Sequence, residues 1–309
     1  MALTNLWVEK YRPKTIQDYV FMDEYQRAQV LSWVNTKQIP ILLFSGPAGT
    51  GKTTLAKLLI SALDINEYDL LEINASRQRG IDTMRDTISN HCITMPFGNM
   101  KVVLLDEADA LTPDAQRSLK GMIEEYHESV RFILTTNHPN KIIPPIHSRC
   151  QGFHIEKLDQ TEFTARAATV LVTEDIDFDL DILDSYVSAT YPDLRKCLNL
   201  LQMNSNTGEL LSPNINDKST ADYRLMMVTL IKDGKLREAR KLVCEQARPE
   251  EIDDIYRWFY DNIGMWSDTP DGQDDAILII RKAVVNATLV ADQEINLASC
   301  MIELSQINN

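Results

Sequence analysis

The chain has 309 residues, 44% of them hydrophobic and 25% charged, which is enough for two or three domains with cores of their own. No stretch reaches the roughly 18 uninterrupted apolar residues of a membrane span, and the opening MALTNLWVEKYRP carries charge where a secretory leader would be apolar, so the expected location is the cytoplasm. The net charge of -14 argues against a nucleic-acid partner only until it is divided: residues 1–155 hold 16 Lys+Arg against 17 Asp+Glu, and residues 156–309 hold 15 against 28, so the first half can still carry a basic face.

In chain order, four short apolar runs, ILLFS (41–45), LLEIN (70–74), KVVLLD (101–106) and VRFILTT (130–136), read as buried strands. They alternate with segments of helical period at Thr54 to Leu63, Ile81 to Ile93 and Ala115 to Tyr126. That alternation predicts an α/β core, a parallel sheet with helices on both faces, over residues 1–155. From Asp159 the strand signal ends, and helical patterns at Thr161 to Val172, Leu180 to Thr190 and Pro192 to Met203 predict a three-helix lid over 156–206. The polar stretch 207–220, with Gly208 and Pro213, reads as a linker, and residues 221–309 as a helical, oligomerising collar. Five cysteines some fifty residues apart, with no CxxC pair, read as reduced core thiols.

The chemistry concentrates at strand ends. GPAGTGKT fits the P-loop pattern between a buried strand and a helix, so Gly46, Pro47, Ala48, Gly49, Thr50, Gly51, Lys52, Thr53 and Thr54 are candidate nucleotide contacts. Glycines let backbone N–H groups turn onto phosphates, Lys52 suits the β- and γ-phosphates, and the Thr53 hydroxyl suits Mg²⁺. VVLLDEAD adds Asp106 for the metal shell and Glu107 to polarise the attacking water of an ATP hydrolase. Asn137, at the end of the fourth run, either fixes that water or forms the turn before His138 and Pro139. SRQRGIDTMRD offers Arg77, Arg79 and Arg85 at one helix start, and LTPDAQRSLKGM offers Gln116, Arg117 and Lys120 at the next. Such groups are either solvated charges or a phosphate-gripping face.

The set WVEKYRP, GPAGTGKT, LLDEAD, TTN, SRC and YPDLRKCLN, in this order over residues 5 to 205, resembles the sliding-clamp loader ATPases of the AAA+ superfamily, replication factor C small-subunit type. Within that type, the compact acidic chain looks most like the large subunit of T4-like phage loaders, where four copies join a different small subunit. The resemblance implies ATP and Mg²⁺ as ligands, and other loader subunits, a sliding clamp and primer-template DNA as partners. It implies that Arg149, which has no acidic residue near it in sequence, finds its partner in the γ-phosphate held by a neighbouring subunit. Arg195 matches the lid arginine that reaches the nucleotide of its own chain, and Tyr11, Arg12 and Pro13 match a segment near the adenine. Arg79 matches the basic residue that couples DNA contact to Glu107. Two other functions fit parts of the pattern: a DNA motor such as a branch-migration helicase, and a binding module without catalysis, against which the intact Lys52, Asp106, Glu107 and Arg149 argue.

Overall fold

The computed structural model describes residues 6–77, 81–205, 208–212, 223–248, 251–267 and 269–307, and of residues 81–84 the backbone alone. Arg79 and most of the expected linker lie outside the described residues. The chain divides into two compact units, residues 1–170 with 191–202, and residues 171–190 with 203–309.

The first unit is built on five strands: β1 (Leu42–Ser45), β2 (Leu70–Asn74), β3 (Lys101–Asp106), β4 (Val130–Thr136) and β5 (Gln151–His154). Their order is β2-β3-β4-β1-β5, and every pairing is parallel. Successive side chains of a strand face opposite sides, so a strand buried throughout must be covered on both. All four residues of β1 and the first five of β3 are buried, which is why these runs are apolar but for Ser45 and Lys101 at their ends. The core of this unit gathers Leu43, Val103, Leu105, Phe132 and Leu134 from the sheet with Ala115, Leu119, Met122 and Ile123 from one helix.

The helices of the first unit, in chain order, are α1 (Trp7–Lys10), α2 (Glu24–Thr36), α3 (Lys52–Ala62), α4 (Ile81–Ile93), α5 (Pro113–Tyr126) and α6 (Pro144–His147). Most of α7 (Gln160–Thr173) and all but the last residue of α9 (Leu194–Met203) belong to it as well. Helix α5 shows why the sequence starts a helix there: Thr112 accepts from the N–H of Ala115 at 3.2 Å, and Pro113 needs no partner for a missing N–H.

Strand β5 falls outside the four expected runs. It lies at the sheet edge beside β1, and only Phe153 of QGFH is buried, so it shows no apolar run. Its register, Ser45 opposite His154, places Ile155 against the first P-loop glycine.

The second unit contains α8 (Leu180–Thr190), α10 (Tyr223–Lys232), α11 (Leu236–Gln246), α12 (Ile252–Asp261), α13 (Pro270–Ala287) and α14 (Gln293–Ser305). Aromatic residues form part of its core: the Trp258 indole N–H donates to the Ser188 carbonyl at 2.8 Å, and Phe259 meets Trp266 edge-on at 5.1 Å between centroids. Asn296, buried, donates to both Tyr256 Oη and the Ala283 carbonyl at 2.8 Å, tying α14 to α12 and α13. All five cysteines are free thiols. No helix among the described residues is long and apolar enough to cross a membrane.

Candidate nucleotide site

The parallel register fixes where the site lies. Ser45 stands opposite Thr136 and Leu105 opposite Leu134, so β1, β3 and β4 deliver the P-loop, Asp106 and Thr135 to one edge of the sheet. The turn after β1 needs its glycines for two distinct reasons. Gly51 and Gly49 have φ of 86° and 77°, in the left-handed region. A Cβ on Gly46 would lie 2.1 Å from the Ile155 carbonyl oxygen, and one on Gly49 would lie 1.7 Å from the Asp193 carboxylate. The P-loop is thus wedged between β5 and the start of α9.

Lys52 opens α3 and is only 7% exposed. Its ammonium donates to the carbonyls of Gly46 at 2.8 Å and Pro47 at 2.5 Å. Burial lowers its pKa to about 8, and the nearby Asp109 and Asp106 oppose the fall. Anionic phosphates would favour the charged ammonium, so nucleotide binding must draw in a proton once the free lysine begins to lose its own. ATP affinity is therefore expected to be flat below pH 8 and to weaken above it, by up to about tenfold per pH unit. Titration of nucleotide binding between pH 7 and 9.5 checks this; Lys52→Arg, which stays charged, should flatten the profile.

Asp106 is held by two hydroxyls. Thr53 and Thr135 each donate to its Oδ1 at 2.6 Å. Thr135 also accepts the backbone N–H of Glu107 at 3.1 Å. The next residue on the strand, Thr136, donates to Asp109 Oδ1 at 2.8 Å, and the Asn137 N–H reaches the same oxygen at 3.2 Å. Glu107 itself has φ 57° and ψ 46°, a left-handed conformation that costs a non-glycine residue about 1–3 kcal/mol and is held here by the groups around it. A strained acidic residue at the mouth of a cavity, next to a fixed carboxylate, is suited to polarising water.

These groups line one cavity of about 530 Å³. Of the expected residues it brings together Arg12, Ala48, Gly49, Gly51, Lys52, Thr53, Thr54, Asp106, Glu107, Asn137 and Arg195. A narrower slot beside it is lined by Tyr11, Arg12, Pro13, Thr50 and Arg195 together with the apolar Val20, Leu158, Leu194 and Leu198. Gly46 and Pro47 supply the carbonyls to which Lys52 donates. The slot is also lined by Tyr19, a buried residue whose hydroxyl donates to the Thr50 carbonyl at 3.0 Å. Neither Tyr19 nor the aliphatic slot residues carry a sequence signal, since isolated apolar residues look like core. The two threonines holding Asp106 and Asp109 were legible in principle as a Thr pair at the end of a strand facing acidic residues.

Other expected residues lie elsewhere. Gln116 is not available to DNA: it is 2% exposed, its amide donates to the carbonyls of Leu111 and Lys141, and its oxygen accepts the N–H of Ile143 at 2.8 Å. One residue further along the helix is enough to turn a side chain from the polar face to the core. Arg77 lines the nucleotide cavity, and Arg85 is exposed on α4. On α5, Arg117 is exposed and Lys120 half-buried, and they are paired with Asp114 and Glu124. Arg149 does have an acidic partner in its own chain, contrary to the expectation: Glu124, 25 residues earlier on α5. Arg149 is nevertheless absent from the lining of its own nucleotide cavity. Burial raises the thiol pKa of the adjoining Cys150 to about 12, consistent with a packing role.

Comparison with known proteins gives the family. Residues 42–157 match the model of the AAA family, "ATPase family associated with various cellular activities". The replication factor C small subunit of Methanococcus vannielii is 38% identical over 247 residues, covering 76% of this chain and 77% of the relative. That of Haloarcula marismortui is 38% identical over 273 residues, 83% of each. Among solved structures, the Thermotoga maritima RuvB Holliday junction branch migration motor superposes with a TM-score of 0.54 over 74% of this chain and 84% of that one, at 16% identity, a likeness of fold. The chain thus belongs to the replication factor C small-subunit family of AAA ATPases.

Proposed function

We propose that this chain is an ATPase subunit of a sliding-clamp loader, in which ATP binding closes an assembly of subunits that opens the clamp and grips primer-template DNA, and hydrolysis releases the closed clamp. The observation that carries the reading is a division of labour: one cavity gathers Lys52, Thr53, Asp106, Glu107, Asn137 and Arg195, while Arg149 stands outside it on the surface of the same unit. A guanidinium placed away from its own phosphates suits service to a neighbour's. Thr53 and Asp106 would hold Mg²⁺: they are two oxygen donors already 2.6 Å apart, and a hard cation that keeps its waters needs no larger protein cage. When bound, the metal would neutralise charge on the phosphates. Glu107 would accept the proton of the attacking water, Asn137 would orient that water, and Arg195, at the start of α9, would make the lid answer to the phosphates.

The expected three-part organisation, an ATPase core to residue 155, a lid to 206 and an oligomerising collar from 221, would serve this reading. Arg85, Arg117 and Lys120, with Arg79 and the cavity-lining Arg77, would grip DNA phosphates without reading bases. The acidic second half would lie away from DNA, and its acidity fits a phage-type loader in which several copies join a distinct small subunit in the cytoplasm. A partner face is available as well. Met95 and Phe97 are 89% and 77% exposed just before β3, and Tyr68, just before β2, has its ring 5.5 Å from that of Phe97. This apolar group lies at the strand starts, the end of the sheet opposite the nucleotide, and suits a clamp.

The test is ATPase activity of the chain purified with its partner subunits. A loader should respond with a burst that needs clamp and primed DNA together; Met95→Glu with Phe97→Glu should remove the clamp's effect and leave nucleotide affinity unchanged. Sustained ATP-driven unwinding or translocation without a clamp would identify a motor instead.

A further inference from the structure

The guanidinium of Arg149 is held by three acceptors of its own chain. Its Nη1 donates to the Pro145 carbonyl at 2.7 Å and to Ser148 Oγ at 3.1 Å, and its Nη2 donates to Glu124 Oε1. Two of these are local, from the turn that carries the arginine. The third comes from α5, and it is the only charged one of the three. We infer that Glu124 is the positioning residue of Arg149, and that through it α5 ties the arginine to the DNA-facing side of the same subunit.

Two observations carry this. First, an arginine that must meet a phosphate on another chain gains from being fixed beforehand, because each free rotamer costs entropy when the interface forms. With the Pro145 and Ser148 contacts setting one nitrogen and Glu124 the other, the plane of the guanidinium is determined, and the arginine's other N–H groups are left to reach outward. Second, Glu124 is shared. Lys120, one turn earlier on α5, approaches the same Oε1 at 3.5 Å, and the two cations hold the Glu124 carboxyl below its ordinary pKa, Arg149 more strongly. If a DNA phosphate takes Lys120, the carboxylate is left to Arg149 alone. DNA contact would then firm the arginine, which gives the sign a loader needs: duplex in the channel favours hydrolysis at the interface.

This inference rests on the reading of Arg149 as a residue that acts on a neighbour's nucleotide, so its test separates the two. The assembled loader is prepared with Glu124→Ala, Glu124→Gln, Arg149→Ala or the double Glu124→Ala/Arg149→Ala, and kcat and KM for ATP are measured with and without primer-template DNA. Glu124 is exposed and Arg149 half-buried, so a thermal melt of each variant accompanies the kinetics to separate loss of fold from loss of rate. Glu124→Ala should lower kcat about two- to fivefold, the range of an exposed ion pair, with KM unchanged and a smaller ratio of DNA-stimulated to basal rate. Glu124→Gln, which keeps an acceptor oxygen, should recover part of the loss. The double variant should be no slower than Arg149→Ala alone. An unchanged kcat and DNA ratio in Glu124→Ala, or losses that multiply in the double, overturns the role of Glu124 while leaving the arginine's intact. Full activity in Arg149→Ala overturns the reading of the arginine, and this inference with it.

Discussion

Arg149→Ala is expected to leave ATP binding to the isolated chain unaltered and to reduce hydrolysis in the assembled loader by about 10³-fold or more, the range seen when a trans-acting arginine is lost from a phosphoryl-transfer site. The first half of that expectation follows from position, since the arginine does not line its own cavity. The second follows from charge: a guanidinium fixed by Pro145, Ser148 and Glu124 reaches a neighbour's phosphates with little reorganisation. Mixing gives the sharper measurement. A Lys52→Ala chain lacks the cradle lysine but keeps its arginine, and an Arg149→Ala chain has the reverse. Combined in one assembly, they should restore some active sites, because an intact pocket on one chain then faces an intact arginine on the next. If no ratio of the two restores activity, the arginine acts within its own chain.

How much of this was legible beforehand differs by kind of interaction. Strands β1, β3 and β4 could be read because a parallel strand covered on both faces is apolar at most positions, a pattern that needs only its own residues, while β2, an edge strand with only Ile73 buried, is marked by the leucines and isoleucine of LLEIN. The P-loop and Asp106 could be read because the chemistry of a phosphate cradle dictates residue types at fixed spacing. Strand β5 could not: at the sheet edge a single buried side chain, Phe153, suffices, and the backbone pairing with β1 leaves no mark in side-chain pattern. The partner of Arg149 was hidden for a different reason. Glu124 and Arg149 meet only because α5 and the turn after α6 pack side by side, and no local rule relates residues 25 apart. Gln116 shows the converse error, since a polar residue in the first turns of a capped helix looks solvent-facing until the backbone groups of Leu111, Lys141 and Ile143 are seen to need it.

Glu107→Gln is expected to bind ATP with near-normal affinity, assemble, and hydrolyse about 10²- to 10⁴-fold more slowly, the contribution of a positioned general base. The substitution is well matched to the geometry. Glutamine has the same shape, and the left-handed backbone at this position is held by the N–H to Thr135 Oγ1 and by the turn that follows, neither of which involves the carboxylate. Thermal stability should therefore stay close to that of the parent, which distinguishes loss of the base from loss of the fold. Because Asp106 is fixed independently by Thr53 and Thr135, the nucleotide cradle should remain intact. With binding retained and hydrolysis stopped, the assembly should accumulate on primed DNA with the clamp still attached, and ATP and DNA should each tighten the other's binding by the same factor, as reciprocal coupling requires. Clamp retention on a primed template, followed over many wild-type turnover times, reads the result directly. Normal steady-state turnover in this variant would remove Glu107 from the chemistry and leave the strain at φ 57° without the function assigned to it.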